Sequence, residues 1–496
     1  MEIKERAAYR SIFKATSIFG SAQLLVILIM LIKSKFVAVL LGTAGYGVNS
    51  LLNNPLNVIL SITSMGLSFS AVRDIALAKS QNDISVFNKT ISVYLKLLWG
   101  TGVLGCATVI LCSPLLSQWS FNDYSYTSSF LLLSVTLIFM SFSNGYVGLL
   151  KGLQMTEDAA KVSFIPSLCS AIITIPLYYL LGLNGILPAI FLTAVITFLV
   201  SKYYARNIQY EKVKLGIKEV LQGGKEMIKL GFVMTLAGLL TQLVGYFIIL
   251  IITQYGNVEE VGLYNAGFTM TTMYVGLVFS SIAADYFPRL VAICNDDINI
   301  RGVANQQGEI LLIVLCPIII GFILFLPLIV RILLSDSFLA IVPFVQLMTL
   351  GMIFRAVSWT MSYIPTAKGN TRLFLTIESV GASTYLLSSY LGYIYWGLEG
   401  LGYAFIINYV VYALVVYSIV NRKYKFTFTT QFYRVLLFTV LLCSMSCFIL
   451  ELSGLYFYLS ALAVIVLTFL FTVKELNRRV SFIAYLKNRF NGKNQA

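Results

Sequence analysis

The sequence contains no histidine and few charged residues, and both shortages limit what the chain can do. Only 11% of its 496 residues are Asp, Glu, Lys or Arg, whereas a soluble domain usually carries about 25%. Without histidine there is no imidazole to act as a general base, a metal ligand or a pH switch. The seven cysteines form no Cys-x-x-Cys pair, and buried apolar thiols are the favoured interpretation. We therefore predict no metal site and no cofactor.

Long apolar runs are abundant instead. Hydrophobic residues make up 58% of the chain, and runs of about 18 or more, each long enough to cross a bilayer as a helix, recur from end to end. The basic N-terminus leads into an apolar run without a small-x-small cleavage site, which predicts an uncleaved first helix. The fold class is an all-α polytopic membrane protein. Fourteen spans are expected near residues 12–41, 46–71, 90–113, 128–150, 162–181, 185–204, 228–252, 260–287, 309–332, 339–366, 372–395, 399–420, 431–451 and 454–473.

The short linkers between these spans carry an orientation signal. Of the 35 Lys and Arg residues, 30 lie at the two termini or on every second linker. By the positive-inside bias, this alternation predicts that both termini are cytoplasmic. The net charge of +14 is thus explained by topology, and no nucleic-acid partner is predicted.

Three turns recur at nearly the same offset. Gly182 in LLGLNGILPAIF and Gly397 in YWGLEGLGYAFI are 215 residues apart, Lys151-Gly152 and Lys368-Gly369 are 217 apart, and Gly42 and Gly256 are 214 apart. A shared offset indicates two copies of a six-span unit, and an even number of spans makes the copies parallel. We therefore expect two six-helix lobes around a central cavity, plus two further helices. The predicted domains are an N-terminal lobe (1–210), a cytoplasmic interfacial linker (211–227), a C-terminal lobe (228–425), two extra helices (426–473) and a basic cytoplasmic tail (474–496).

The repeat and its turn motifs resemble a known superfamily. The LLGTAGYGV turn after span one, the VGLYNAG turn opening span eight and the two Gly-Leu-x-Gly turns are similar to those of the multidrug/oligosaccharidyl-lipid/polysaccharide exporters. Within that superfamily the chain most resembles the polysaccharide branch, the O-antigen flippases of the Wzx family. The resemblance covers essentially the whole chain.

The resemblance implies a function. A polyprenyl-diphosphate-linked oligosaccharide, such as an O-antigen unit of lipopolysaccharide, would be flipped from the inner to the outer leaflet of the bacterial cytoplasmic (inner) membrane. The implied partners are this lipid-linked glycan, membrane lipids, a coupling proton or sodium ion, and polysaccharide assembly proteins.

Arg355 is the strongest candidate for binding such a substrate. It stands 12 residues from both Pro343 and Ala367, roughly 18 Å from each end of the span. A charge at that depth costs about 2.5–3.5 kcal/mol on insertion scales. An acidic partner in a structural pair, or a hydrated cavity that admits a diphosphate, would offset this cost.

Lys33 and Lys35 are two further cationic candidates. They could form a pair at the outer interface, but the apolar run FVAVLL continues beyond them and favours burial in the outer half of span one. Because they point about 200° apart on a helix, only one is expected to face a cavity.

A polar stripe on span two supplies the amide candidates. Asn49, Asn53 and Asn57 fall within one arc of the helix, and amides can both donate to and accept from sugar hydroxyls. Helix–helix hydrogen bonding is the alternative role. Pro55, which lies between them, is expected to kink the helix.

Acidic residues are scarce in the spans, which bears on coupling. The first lobe has no Asp or Glu deep in a span. In the second lobe Glu378 lies about 9 Å inside span eleven, where it could pair with a Lys or Arg or bind a proton. Asp285 is a second candidate for ion coupling, although Arg289, four residues on, would suit a local ion pair.

Three other functions compete with the flippase. A cation-coupled multidrug antiporter of the same superfamily would need carboxylates in a lobe core, and the first lobe offers none. A lipid II-type peptidoglycan flippase also has two helices beyond the twelve. A membrane glycan polymerase or ligase would need catalytic groups and a large outer loop, so no enzymatic activity is predicted.

Overall fold

The computed structural model describes residues 2–81 and 83–480, and within these ranges the chain is helical, without β-strands. The helices are joined by short turns, including 3₁₀ segments at Gly182–Gly185 and Asp336–Ile341 and one π turn at Thr271–Val275. The α-helices are α1 (Glu2–Thr63), α2 (Leu67–Ser80), α3 (Ile84–Phe121), α4 (Thr127–Gly152), α5 (Thr156–Leu181), α6 (Ile186–Ala205), α7 (Ile217–Tyr255), α8 (Val258–Met270), α9 (Gly276–Ala292), α10 (Asp297–Leu333), α11 (Val342–Ala367), α12 (Thr371–Tyr424), α13 (Thr430–Ile449) and α14 (Leu455–Val480).

The number of membrane-spanning helices agrees with the sequence pattern. The described residues contain 11 helical segments that are long and apolar enough to cross a bilayer. Three of them, of 39, 50 and 54 residues, also contain a glycine at position 42, 182 or 397 that leaves the helical conformation. Because a 54-residue helix would be about 81 Å long, more than twice the thickness of a hydrocarbon core, each interrupted segment is two spans. The described residues therefore hold about fourteen spans, as predicted.

Two of these glycines adopt nearly the same backbone conformation. Gly182 has φ 55° and ψ −131°, and Gly397 has φ 56° and ψ −137°. A side chain strongly disfavours this combination, so glycine is required at both turns. The repeated Gly-Leu-x-Gly motif is confirmed as a repeated turn.

The structure corrects the register of a second repeated turn. The left-handed residue that ends α4 is Gln154 (φ 61°), and the one that ends α11 is Gly369 (φ 70°). At both turns the next N–H donates to the carbonyl five residues back, as in a Schellman motif. These positions are 215 residues apart, as are the starts of α4 and α11 and of α5 and α12. The Lys-Gly pairing at 217 was therefore wrong by two residues.

Span two is interrupted at a position that the sequence did not predict. Helical dihedrals continue through Pro55, and the helix is interrupted instead between α1 and α2, where Met65 and Gly66 have positive φ. Proline is compatible with a helix when neighbouring helices satisfy the carbonyl that it frees. The interruption therefore lies at Met65 and Gly66, and the kink of the helix axis expected at Pro55 stays a prediction.

The chain forms two compact units. Unit 1 comprises Met1–Gly262 with Leu333–Ser337, and unit 2 comprises Leu263–Ile332 with Phe338–Ala496. Residues 208–216 have no regular structure. They include residues 211–216 of the expected interfacial linker, and the rest of that linker forms the first turns of α7. Of the predicted tail, residues 481–496 lie outside the described range.

In each unit, the hydroxyl of a buried tyrosine forms a hydrogen bond that joins two helices. In unit 1 the hydroxyl of Tyr94 donates to the Gly145 carbonyl at 2.9 Å. In unit 2 the hydroxyl of Tyr286 donates to the Thr360 carbonyl at 2.6 Å. The two carbonyls are 215 residues apart, although α3 supplies one tyrosine and α9 the other. Packing and hydrogen bonds of this kind hold helices together in a bilayer, because lipid provides no hydrophobic driving force between them.

Candidate functional site

A polar cavity of about 280 Å³ lies inside unit 1, among α1, α4, α5 and α6. Lys33 contributes its only charged side chain, and its ammonium donates to the hydroxyl of Ser170 at 2.6 Å. Asn49 and Asn53 line the same cavity, and the Asn53 amide donates to the Asn49 side-chain oxygen at 3.0 Å. Three of the predicted substrate-binding residues therefore meet at one place.

A second polar cavity in unit 1, of about 510 Å³, is lined by residues of α1, α2, α3, α4 and α7. The Ser61 hydroxyl donates to the side-chain oxygen of Gln242 at 2.6 Å, and Lys151 supplies the one charged side chain of the lining. Asn144 lines both this cavity and the one that contains Lys33. Span two thus follows two adjoining cavities, with Asn49 and Asn53 at the first and Ser61 and Ser64 at the second.

Two predicted residues of unit 1 are placed elsewhere. Asn57 is exposed and does not belong to the lining of either cavity described above. Lys35 is partly buried, and its ammonium donates to the backbone carbonyl of Leu334, which belongs to the same unit. Of the two lysines, Lys33 lines the first of these cavities, and the expectation that only one of them faces a cavity stays a prediction.

Arg355 lies near the middle of α11 in unit 2 and is partly buried. Its guanidinium carbon is 5.1 Å from the ring centroid of Phe279 and 5.8 Å from that of Tyr409. Its Nη1 atom is 3.7 Å from the Met352 sulfur. Among the described side chains, no carboxylate lies within ion-pair distance of Arg355. Cation–π contacts therefore hold the guanidinium in place without neutralising its charge.

Both acidic candidates of unit 2 have an identified partner. Glu378 is partly buried in α12 and accepts a hydrogen bond of 2.7 Å from the hydroxyl of Tyr412. Asp285 is exposed and forms an ion pair of 3.2 Å with Arg289, one helical turn away. This is the local pair that the spacing favoured, and only Glu378 lies inside the helical packing.

Comparison with known proteins decides the family. Residues 36–343 match the model of a family described as polysaccharide biosynthesis protein. The chain belongs to that family. A Shigella flexneri protein that bears the name of an O-antigen transporter is 22% identical over 394 residues, which cover 78% of this chain and 92% of the relative.

Solved structures show the same fold at lower sequence identity. A lipid II flippase, MurJ, in an inward closed conformation aligns with a TM-score of 0.72 and 16% identity over 93% of this chain and 98% of its own. An inward-facing multidrug resistance transporter of the MATE family, MOP superfamily, aligns with a TM-score of 0.69 and 15% identity over 81% of this chain and 94% of its own. The family model and the O-antigen transporter relative thus confirm the resemblance to the polysaccharide branch, and the solved structures confirm the fold.

Sequence reasoning missed several polar residues of these cavities. Asn144 in SFSNGYVGLL and Gln242 in GLLTQLVG are isolated amides within apolar runs, so the rule that singled out the asparagines of span two would also have found them. Thr174 and Thr193 of the first cavity offered less signal, because threonine hydroxyls in membrane helices usually bond to their own backbone.

A buried ionic cluster in unit 2 was also missed. Glu309, at the boundary assigned to span nine, is only 5% exposed. Its carboxylate accepts a hydrogen bond of 2.8 Å from the guanidinium of Arg479 and one of 3.2 Å from the hydroxyl of Thr429. Arg479 also pairs with Glu475. This cluster joins α14 to α10, and Arg479 and Glu309 are 170 residues apart in the sequence. No local sequence pattern could therefore predict their contact.

Proposed function

We propose that this protein is a flippase that moves a polyprenyl-diphosphate-linked oligosaccharide from the inner to the outer leaflet of the bacterial inner membrane. The observation that carries the proposal is Arg355, an always-charged group near the middle of a membrane helix. Among the described side chains, no carboxylate lies within ion-pair distance of it. A diphosphate supplies the negative charge that this position lacks. The polysaccharide biosynthesis family and the O-antigen transporter relative support this substrate class.

The glycan part of the substrate suits the second cavity of unit 1. Its polar lining is mostly hydroxyl and amide groups, among them Ser61, Asn144 and Gln242. Such groups both donate to and accept from sugar hydroxyls. Since the lining contains no Asp or Glu, it offers no counter-charge to a cationic drug.

The mechanism we favour is alternating access between the predicted lobes 1–210 and 228–425, with both termini cytoplasmic. The parallel repeat supplies two bodies of similar fold, which is the architecture used for rocking around a midplane site. No covalent bond is broken, so the protein acts as a transporter without catalytic residues. Glu378 is the residue we assign to proton or sodium coupling, and polysaccharide assembly proteins are the expected partners for the flipped unit.

Two related functions remain as competitors with distinct substrates. A lipid II flippase shares the fold over 93% of this chain, and its substrate presents the same diphosphate. A multidrug antiporter shares the fold over 81% of this chain but takes cations. The glycan and the charge of the transported substrate therefore distinguish the proposed flippase from these two competing functions.

The deciding experiment is a flipping assay in proteoliposomes. Three labelled substrates are compared: a polyprenyl-diphosphate oligosaccharide, lipid II and a cationic dye. We expect the first to be flipped and the dye to be excluded. Transport of the dye, or of lipid II in preference to the oligosaccharide, would replace the proposal by the corresponding competitor.

A further inference from the structure

The Lys33 cavity contains hydrogen-bond donors that lack partners among the described residues. An ammonium has three N–H donors, and among the described residues Ser170 is the one hydrogen-bond acceptor that Lys33 reaches. The hydroxyl of Thr174, a residue 1% exposed, lines the cavity and has no hydrogen-bond partner among the described residues. Buried donors are almost always paired in native proteins, so these groups indicate a ligand that accepts hydrogen bonds.

The charge of the cavity restricts the ligand further. Lys33 is its single charged side chain, and the remaining polar lining is neutral hydroxyl and amide. Keeping an ammonium charged inside a membrane helix bundle is costly unless a counter-charge is close. No carboxylate belongs to this lining, so an anion that enters the cavity would supply the counter-charge.

Size and charge balance then favour a small monovalent anion. One ammonium neutralises one negative charge, whereas a diphosphate, with at least two, would leave excess charge among neutral dipoles. The volume of about 280 Å³ accommodates a hydrated halide, and the hydroxyls of Thr174, Ser170 and Thr193 are donors of the kind that surround one. The Ser170 and Thr193 hydroxyls lie 3.3 Å from each other, so both can turn toward a shared acceptor.

We propose that unit 1 contains an inorganic anion site, formed by Lys33 and Thr174, that binds a halide such as chloride. This site is separate from the diphosphate site that we assign to Arg355 in unit 2. It does not depend on the proposed flippase activity, because halide binding is measured without any lipid-linked substrate.

The test is thermal unfolding of the full-length protein in lipid nanodiscs, with chloride replaced by gluconate at constant ionic strength. A ligand of the folded state raises the midpoint in a saturable way, and we expect this for chloride and bromide. Lys33→Met should abolish the saturable shift, and Thr174→Val should weaken the apparent affinity about tenfold. Lys35→Met is the matched control: it removes a lysine two residues away that donates to a backbone carbonyl, and it should keep the shift.

Two results would refute the proposed halide site. One is the absence of a halide-specific shift of the unfolding midpoint in the wild-type protein, and the other is a shift that persists in Lys33→Met. A shift produced by inorganic diphosphate but not by chloride, and lost in Lys33→Met, would assign the cavity to the substrate's phosphates instead. If Lys33→Met does not fold, anomalous diffraction from wild-type crystals soaked in bromide decides the question, since the proposal requires a peak beside the Lys33 ammonium.

Discussion

Replacement of Arg355 is the sharpest test of the proposed diphosphate site. A charge-assisted hydrogen bond contributes about 1.5–3 kcal/mol, which is a factor of about 10–150 at 1.4 kcal/mol per tenfold change. We therefore expect Arg355→Ala to reduce flipping of a labelled polyprenyl-diphosphate oligosaccharide in proteoliposomes by about that factor. Arg355→Lys keeps the charge but loses the two-pronged geometry, so its rate should fall between those of Arg355→Ala and the wild type.

The same substitution is expected to have little effect on folding. It removes two cation–π contacts, worth about 0.5–2 kcal/mol each, and it also removes the cost of about 2.5–3.5 kcal/mol for placing Arg at that depth. These contributions nearly cancel, so yield and thermal midpoint should remain close to the wild-type values. A loss of flipping without a loss of stability is what separates a binding role from a structural one.

The control for this experiment is Arg289→Ala in the same unit. Arg289 forms an exposed ion pair with Asp285, and such pairs contribute only about 0–1 kcal/mol. This variant should flip at the wild-type rate, which would also argue against a coupling role for Asp285. Near-normal flipping by a well-expressed Arg355→Ala protein would refute the diphosphate assignment.

Three further predictions concern other features of the structure. Glu378→Gln should abolish the response of flipping to an imposed proton or sodium gradient, and an unchanged response would exclude Glu378 from coupling. Glu309→Gln should lower the free energy of unfolding by about 1.5–3 kcal/mol, since it removes one of the two carboxylates paired with Arg479; an unchanged midpoint in thermal or denaturant unfolding would contradict this. Gly231→Ala should cost about 1–3 kcal/mol, because its Cβ would lie 2.5 Å from the Met65 carbonyl oxygen, whereas Gly238→Ala in the same helix meets nothing within 4 Å. Equal unfolding midpoints for these two alanine variants would show that the close approach at Gly231 is not tight.

The sequence by itself determined the class of the protein, its spans and its main turns. These properties are local: a bilayer requires about 20 apolar residues per helix, and the backbone at Gly182 and Gly397 requires glycine whatever surrounds it. The depth of Arg355 followed from counting residues along one helix. Local hydrogen bonding could not be counted in this way, which is why the Lys-Gly anchor was misplaced by two residues and the interruption at Met65 and Gly66 was not predicted.

The tertiary structure decided which side chains meet. Hydropathy alone does not distinguish Lys33 from Lys35. The packing of the helices places Lys33 at a cavity among α1, α4, α5 and α6, and it places Lys35 beside the Leu334 carbonyl. The orphan hydroxyl of Thr174 and the pair between Glu309 and Arg479 likewise depend on helices that are distant in sequence. Charge and hydrogen-bonding groups act over a few ångströms in space, so their partners are fixed by packing and not by position along the chain.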